Sequence, residues 1–212
     1  MKIAILDYDV GNLRSVSKAL EYVGARTVIT KNPDEASAAD ALILPGVGAF
    51  RDACESFRQS GLEPALRCAV GAGKPVLGIC LGMQLLMKDS TEHGLHEGLC
   101  LFPASITRFT ENSAVDWSAL KIPHMGWNSI KLNPKCPLFN GLPDVPFVYF
   151  VHSFCVKGAH EWSAATCEYG EEFTAAVWRG NLFGTQFHPE KSGEVGLQIL
   201  RNFIAISEGR LC

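Results

Sequence analysis

An alternation in the first half of the chain constrains the fold most. Four compact apolar runs stand there: KIAILDY (Lys2–Tyr8), ARTVIT (Ala25–Thr30), ADALILP (Ala39–Pro45) and KPVLGI (Lys74–Ile79). Between them, apolar residues recur at helical spacing. Leu13, Val16, Leu20 and Val23 form one such series, stopped by Gly24. Others run from about Phe50 to Phe57 and from about Leu62 to Val70, before Gly71 and Gly73. Unbroken apolar runs suit strands buried on both faces, and the helical stretches between them serve as parallel crossovers. These observations predict an α/β fold with a doubly wound, mostly parallel central sheet and flanking helices. Ligands of such sheets sit beyond the carboxyl ends of the strands, where Pro45–Gly48 and Gly78–Gly82 fall.

The second half changes character. SITRF, WNSIKL, FVYFVHSF, FTAAVWRG and NLFGTQF are short, β-rich and split by Gly, Pro and Asn. They predict an antiparallel β extension with long loops. A closing amphipathic helix is expected from about Gly193 through EVGLQILRNFIAI. No repeat, low-complexity tract or linker divides the chain, so residues 1–212 are expected to form one domain.

Bulk composition narrows the function. With 47% hydrophobic and 19% charged residues, a full core is expected and disorder is not. The net charge is −3 and the basic residues are scattered, which argues against a nucleic-acid partner. No apolar run reaches the length of a membrane span, and an aspartate comes too early for a signal peptide. The eight cysteines form no CxxC pair or Cys/His ladder. A reducing cytoplasmic setting is expected, with no metal, no cofactor and most thiols packed as small apolar groups.

One thiol stands apart. In GICLG, Cys80 lies between Gly78 and Gly82 where a strand period gives way to a helical one. That is the form of a nucleophile elbow, with Cys in place of Ser. Taken alone, the pentapeptide also suits a buried cysteine in a glycine-rich turn. A nucleophile needs a base, and the base needs an orienter. His93, His96 and His160 fall in polar stretches. His188 follows the run NLFGTQF directly, and Pro189 restricts it to an extended conformation. Glu190 then lies two residues on, able to share a side with His188. The backbone N–H of Leu81 and one from PGVGAF, at Val47 or Gly48, are candidate oxyanion donors.

GICLGMQ and FHPE together resemble the signatures of the class I (triad) glutamine amidotransferases. DYDVGNLRSV, PGVGAF, PHMGWN, YFVHSF and FHPEKS resemble one branch of them, the glutaminase subunits of imidazole glycerol phosphate synthases. The resemblance covers nearly the whole chain. It implies a flavodoxin-like fold and a Cys80–His188–Glu190 triad that hydrolyses L-glutamine to glutamate and ammonia. It also implies glutamine contacts from Gln84, Glu92, Ser153 and Phe154, with Glu92 facing the α-ammonium group. The implied partner is a (β/α)8-barrel cyclase, which receives the ammonia for histidine biosynthesis. The implied docking face comprises Asn12, Met125, Gly126, Trp127, Tyr149 and Lys191, with Lys191 in a salt bridge beside the triad. Such a glutaminase is expected to idle until its partner binds effector, and Gly46 and Gly48 would let the oxyanion strand flip one peptide. The chain departs from the pattern at Asp9, where glycine is more usual. The alternatives are a glutaminase serving another synthase, such as one that aminates a sugar, a stand-alone cysteine hydrolase and a non-catalytic binding module.

Overall fold

Residues of the first strands alternate between two cores, and that alternation organises the molecule. In a computed structural model, which describes residues 1–112 and 114–211, β1 (Lys2–Leu6) sends Ile3 and Ile5 to one side of a sheet and Ala4 and Leu6 to the other. Helix α1 (Leu13–Tyr22), β2 (Arg26–Thr30), α2 (Pro33–Ala38) and β3 (Ala41–Leu44) come next. Then come α3 (Phe50–Gln59), α4 (Glu63–Gly71), β4 (Val76–Ile79) and α5 (Leu81–Leu85). β3 and β4 repeat the alternation: Ile43 and Leu77 face one core, Leu44 and Val76 the other. Strand side chains point alternately to opposite faces, so a strand apolar at every position needs a cover on both.

The second half supplies β5 (Met87–Ser90), β6 (His96–Glu97), β7 (Phe102–Arg108), β8 (His124–Ser129) and β9 (Lys131–Leu132). It continues with β10 (Phe147–His152), β11 (Phe154–Lys157), β12 (Ser163–Tyr169), β13 (Glu171–Arg179), β14 (Leu182–Thr185) and α6 (Gly193–Ser207). Val16 and Leu20 of α1 and Ile199 and Phe203 of α6 cover one face of the parallel strands. Residues of α2 to α5, among them Ala36, Phe57, Leu66 and Met83, cover the other.

The main sheet runs β2-β1-β3-β4-β14-β13-β11-β7-β5-β6, with β12 on β13 and β9 on β12. The pairs from β2 to β14 are parallel. β13, β11 and β7 then alternate antiparallel. The expected mixed architecture is therefore present, with one correction. NLFGTQF does not belong to the antiparallel extension: β14 is the fifth parallel strand, paired to β4 through Thr185↔Ile79. A tight return at Gly180 makes β13 antiparallel to β14 and leaves β14 free to join β4 on its other edge. FVYFVHSF also divides. β10 pairs with β8 in a separate two-stranded sheet, whereas β11 joins the main one. Helix α2, absent from the sequence-based assignment, begins with Asn32, whose side chain accepts from the N–H groups of Asp34 and Glu35. Pro33 stands at the first helical position, a strong start signal.

No described helix is long and apolar enough to cross a membrane. The parallel strands matter for function because of the loops at their carboxyl ends. Asn12 lies in the loop after β1, Gly46 after β3, Cys80 after β4 and His188 after β14. The order 2-1-3-4 reverses direction between β1 and β3, where doubly wound sheets open a crevice for ligands.

Glycine brings the end of β3 and the turn after β4 into close contact. A Cβ on Gly82 would lie 1.8 Å from the Leu44 carbonyl oxygen, and one on Gly78 would lie 2.8 Å from the Gly82 carbonyl oxygen. Gly82→Ala is therefore expected to cost upwards of about 2 kcal/mol, as overpacking does. Gly71→Ala, at a helical site with open space around it, should be neutral or stabilising. Urea unfolding of both variants checks this contrast.

Candidate active site

Cys80 holds an unusual backbone. It comes directly after β4 at φ 55 and ψ −111, outside the regions that non-glycine residues favour. Its N–H donates to the Thr185 carbonyl at 2.7 Å, which continues the β4–β14 ladder one residue past the strand end. Its carbonyl accepts from the N–H of Gln84 at 3.2 Å and starts α5. Strand and helix thus meet at this one residue, in the geometry of a nucleophile elbow.

The same ladder aligns the end of β14 beside the elbow. Gln186 Nε2 stands 3.9 Å from Cys80 Sγ. His188 is fully buried, with Nδ1 2.7 Å from Glu190 Oε1. Its backbone is held at both ends: the N–H donates to the Tyr149 carbonyl at 3.0 Å, and the carbonyl accepts from Ser192 Oγ at 2.6 Å. Burial pushes the His188 pKa down, but interactions with Cys80 and Glu190 outweigh it and raise the value to about 9. His188 Nε2 has no hydrogen-bond partner within ordinary limits. The imidazole is therefore fixed by Glu190 through Nδ1, while Nε2 is left without a hydrogen bond and Cys80 acts on the ring through its charge.

A cavity of about 590 Å³ opens over these groups. Val47, Gly48, Leu81, Gln84, Glu92, Ser153 and Phe154 line it with Cys80 and His188, so the structure brings together every residue expected in the catalytic, oxyanion and glutamine-binding sets except Glu190. Glu190 sits behind His188, out of the cavity, with its side chain fully buried. Val47 and Gly48 reach the elbow because β3 pairs directly with β4. Two contacts refine the expected substrate contacts. Gln84 Nε2 is committed to the Phe154 carbonyl and Gln186 Oε1, at 3.1 and 3.0 Å, which leaves Oε1 as its free polar atom. Glu92 Oε2 accepts from the N–H of Phe50 at 2.7 Å, so this acid is tied to the start of α3 as well as facing the cavity.

The expected docking residues gather on one side. On β8 and β10, Trp127 pairs with Tyr149 and Met125 with Val151. Met125 and Trp127 are 62% and 56% exposed. Lys191 Nζ lies 5.9 Å from the centre of the Tyr149 ring, in a cation–π position. Among the described residues Lys191 makes no ion pair. Asn12 faces inward: its Nδ2 donates to Glu190 Oε1 at 2.5 Å. Asp9, the departure from pattern, has φ 67, a conformation that glycine adopts freely and aspartate tolerates, and it pairs with Lys31.

Sequence reasoning misses several participants. Gln186 and Arg108 carry no motif of their own, Tyr8 falls inside DYDVGNLRSV with no chemical role assigned to it, and Phe147, 55% exposed beside the Trp127 face, reads only as part of a strand. His124 and His152 have no role that the sequence assigns. They form an ordered chain: His152 Nδ1 meets the Phe154 carbonyl at 2.9 Å, so it carries the proton. His152 Nε2 then accepts from His124 Nδ1 at 3.1 Å, and His124 Nε2 accepts from Asn128 Nδ2 at 3.3 Å. Burial pushes both pKa values down, to about 4 for His124 and about 3 for His152. Both rings are neutral in either state above about pH 6.5, but below it only the unfolded chain takes up these protons. Their contribution to stability is thus lost as pH falls from about 6.5 through about 4 for His124 and about 3 for His152. His124→Asn should flatten that part of a stability–pH curve, measured by urea unfolding at each pH.

The description "Glutamine amidotransferase class-I" matches residues 4–206. The chain is 51% identical over 205 residues to "Imidazole glycerol phosphate synthase subunit HisH" of Methanosarcina barkeri, covering 96% of this chain and 98% of the relative. It is 50% identical over 204 residues to the protein of the same name from Geobacter sulfurreducens, covering 95% and 97%. Among solved structures, a glutamine amidotransferase superposes with a TM-score of 0.73 at 19% identity, covering 97% of this chain and 98% of that one. PurLQS from Thermotoga maritima superposes at 0.71 with 18% identity, covering 97% and 98%. At those identities the structural likeness speaks for the fold alone. The sequence relatives speak for the family, and the chain belongs to the class I glutamine amidotransferases, in the branch of imidazole glycerol phosphate synthase HisH subunits.

Proposed function

We propose that this protein is the glutaminase subunit of an imidazole glycerol phosphate synthase. The observation that carries the reading is Cys80 on a strained strand-to-helix turn at the floor of the cavity, beside a buried His188 held by Glu190 at 2.7 Å. Cys80 Sγ attacks the side-chain amide carbon of glutamine, and His188 holds the thiol proton. The carbonyl electrons move onto oxygen, where the N–H of Leu81 and one from Val47 or Gly48 receive the charge. As the intermediate collapses, the C–N bond breaks and the His188 proton leaves with ammonia. Water then adds to the γ-glutamyl thioester, its proton passes to His188, and the C–S bond breaks to release glutamate. Glu190 keeps the imidazole oriented and supports its positive form. A His188 that holds its proton up to about 9 suits the role of acid toward the departing amine.

The cavity suits a zwitterion. Glu92 supplies a carboxylate for the α-ammonium group and Arg108 a guanidinium for the α-carboxylate. Gln84, Ser153 and Phe154 shape the space between. Residues 1–212 act as one catalytic domain.

Ammonia released into water at neutral pH takes up a proton and loses its nucleophilicity, so the product calls for a protected route. The partner in this reading is a (β/α)8-barrel cyclase docked on the two-stranded β8–β10 sheet. Met125, Gly126 and Trp127 with Tyr149 and Phe147 make an apolar face, Lys191 lies over it, and Asn12 joins its edge to Glu190. Aromatic side chains of this kind dominate interface energetics. A glutaminase serving a different synthase would keep the cavity and change this face.

Glutamate release from glutamine tests the reading. It should be slow for the chain alone, rise by about two orders of magnitude or more with the cyclase and its nucleotide ligand, and vanish in Cys80→Ala. Equal rates with and without the cyclase would reject the partner and keep the triad. Trp127→Ala should weaken cyclase binding by upwards of about 30-fold in calorimetry, as a central aromatic anchor does.

A further inference from the structure

Tyr8 is a buried titratable group that the chemistry above leaves unused. It lies just beyond β1, is 1% exposed, and donates its hydroxyl to the Pro45 carbonyl at 2.5 Å. Its ring meets Phe57 of α3 edge-on, with centroids 5.2 Å apart. Burial first, and then Cys54 and Cys80, push its pKa well above the ordinary tyrosine value, so the hydroxyl remains a neutral donor.

The position of that bond is informative. Pro45 ends the β3 segment, and the next residues are Gly46, Val47 and Gly48. A Cβ on Gly46 would lie 2.9 Å from the Tyr8 hydroxyl and 2.8 Å from the Gly82 nitrogen. Gly46 is thus wedged between Tyr8 and the elbow that carries Cys80. At the far end of the segment, the N–H of Phe50 donates to Glu92 at 2.7 Å. Among the described residues, no side chain hydrogen-bonds to the backbone of residues 46–49. Gly48 has φ 108, and Val47 is at the surface. A segment with glycine on both sides of Val47 has little torsional preference of its own. Its peptide planes are set at its two tied ends.

We propose that Tyr8 is a positioning residue for acyl transfer: by holding the Pro45 carbonyl it sets the Pro45–Gly46 peptide, and through it aims the N–H groups of Val47 and Gly48 at the oxyanion formed on glutamine. Glu92 anchors the other end, so the acid that meets the substrate's α-ammonium group also borders the oxyanion segment. This inference rests on the role of Cys80 given above. Donors aimed at the oxyanion bind the transition state more than the substrate, so misplacing them lowers kcat and spares KM. Alkylation of a thiol by iodoacetamide builds no oxyanion and reports on Cys80 separately.

The test is Tyr8→Phe in the complex with the cyclase and its nucleotide ligand, beside wild type, Cys80→Ala and Phe57→Leu. Tyr8→Phe keeps the ring and removes only the hydroxyl. Its kcat for glutamine hydrolysis should fall by about tenfold or more, with KM within about twofold and the rate of Cys80 alkylation unchanged. Phe57→Leu loosens the packing around the ring but leaves the hydroxyl, and should lower Tm while keeping kcat near wild type. An unchanged kcat in Tyr8→Phe overturns the inference. So does a parallel loss of kcat and alkylation, because Tyr8 would then support the elbow as a whole. If Cys80→Ala retains the wild-type rate, the reading of the site fails and takes this inference with it. If Cys80→Ala is dead while Tyr8→Phe matches wild type, only the inference fails.

Discussion

Everything at the site depends on how closely two backbones approach. The end of β3 lies against the turn after β4 with no side chain between them: the Leu44 carbonyl occupies the space a Cβ of Gly82 would need. This contact sets the distance between the segment with Val47 and Gly48 and the segment with Cys80. Gly78 allows the turn to fold back on itself, and Gly184, beside Met83 and Val177, allows β14 to pack beneath it. Three glycines, at 78, 82 and 184, thus bring the elbow, the oxyanion segment and the strand leading to His188 together. Elsewhere the same proximity would clash; here it lets main-chain N–H groups stand near a nucleophile.

The buried polar groups extend that arrangement outward. Glu190 is buried, where a carboxylate without partners is costly. His188 and Asn12 both bond to its Oε1. Ser192 links the His188 carbonyl to the N–H of Tyr149, so the base and the β8–β10 sheet share a hydrogen-bonded backbone. One end of that sheet carries the His124–His152 chain, whose last acceptor is the carbonyl of Phe154, a residue that lines the cavity. The face read as the docking surface runs on to the cavity along β10, where Val151, on the same side of the strand as Tyr149, lines it; the other side, with Val148 and Phe150, packs into the core.

Much of this is legible from particular residues. The apolar runs at 2–8, 39–45 and 74–79 could be buried only in a two-faced sheet, and the two glycines around Cys80 mark the elbow. His188 with Glu190 stands out because proline between them restricts the backbone. Other features leave no local trace. NLFGTQF reads as a strand but says nothing of its neighbour, and its parallel pairing with β4 arises from a return at Gly180 that frees its other edge. Tyr8 and Gln186 have no chemical role legible in the sequence and become meaningful only beside Pro45 and Cys80. Asn12 reads in the sequence as facing a partner, yet its amide also turns toward a carboxylate 178 positions away in the chain.

The sequence by itself determined the class of fold, the candidate nucleophile, base and orienter, and the family. These are consequences of hydrophobic period, of glycine and proline as backbone constraints, and of residue types whose chemistry is intrinsic. The tertiary structure alone decided which strand lies beside the elbow, which polar atoms remain free in the cavity, and which side chains hold the loops that carry the oxyanion donors. Those outcomes depend on distances between segments far apart in the chain. Packing sets such distances, and no local pattern encodes them.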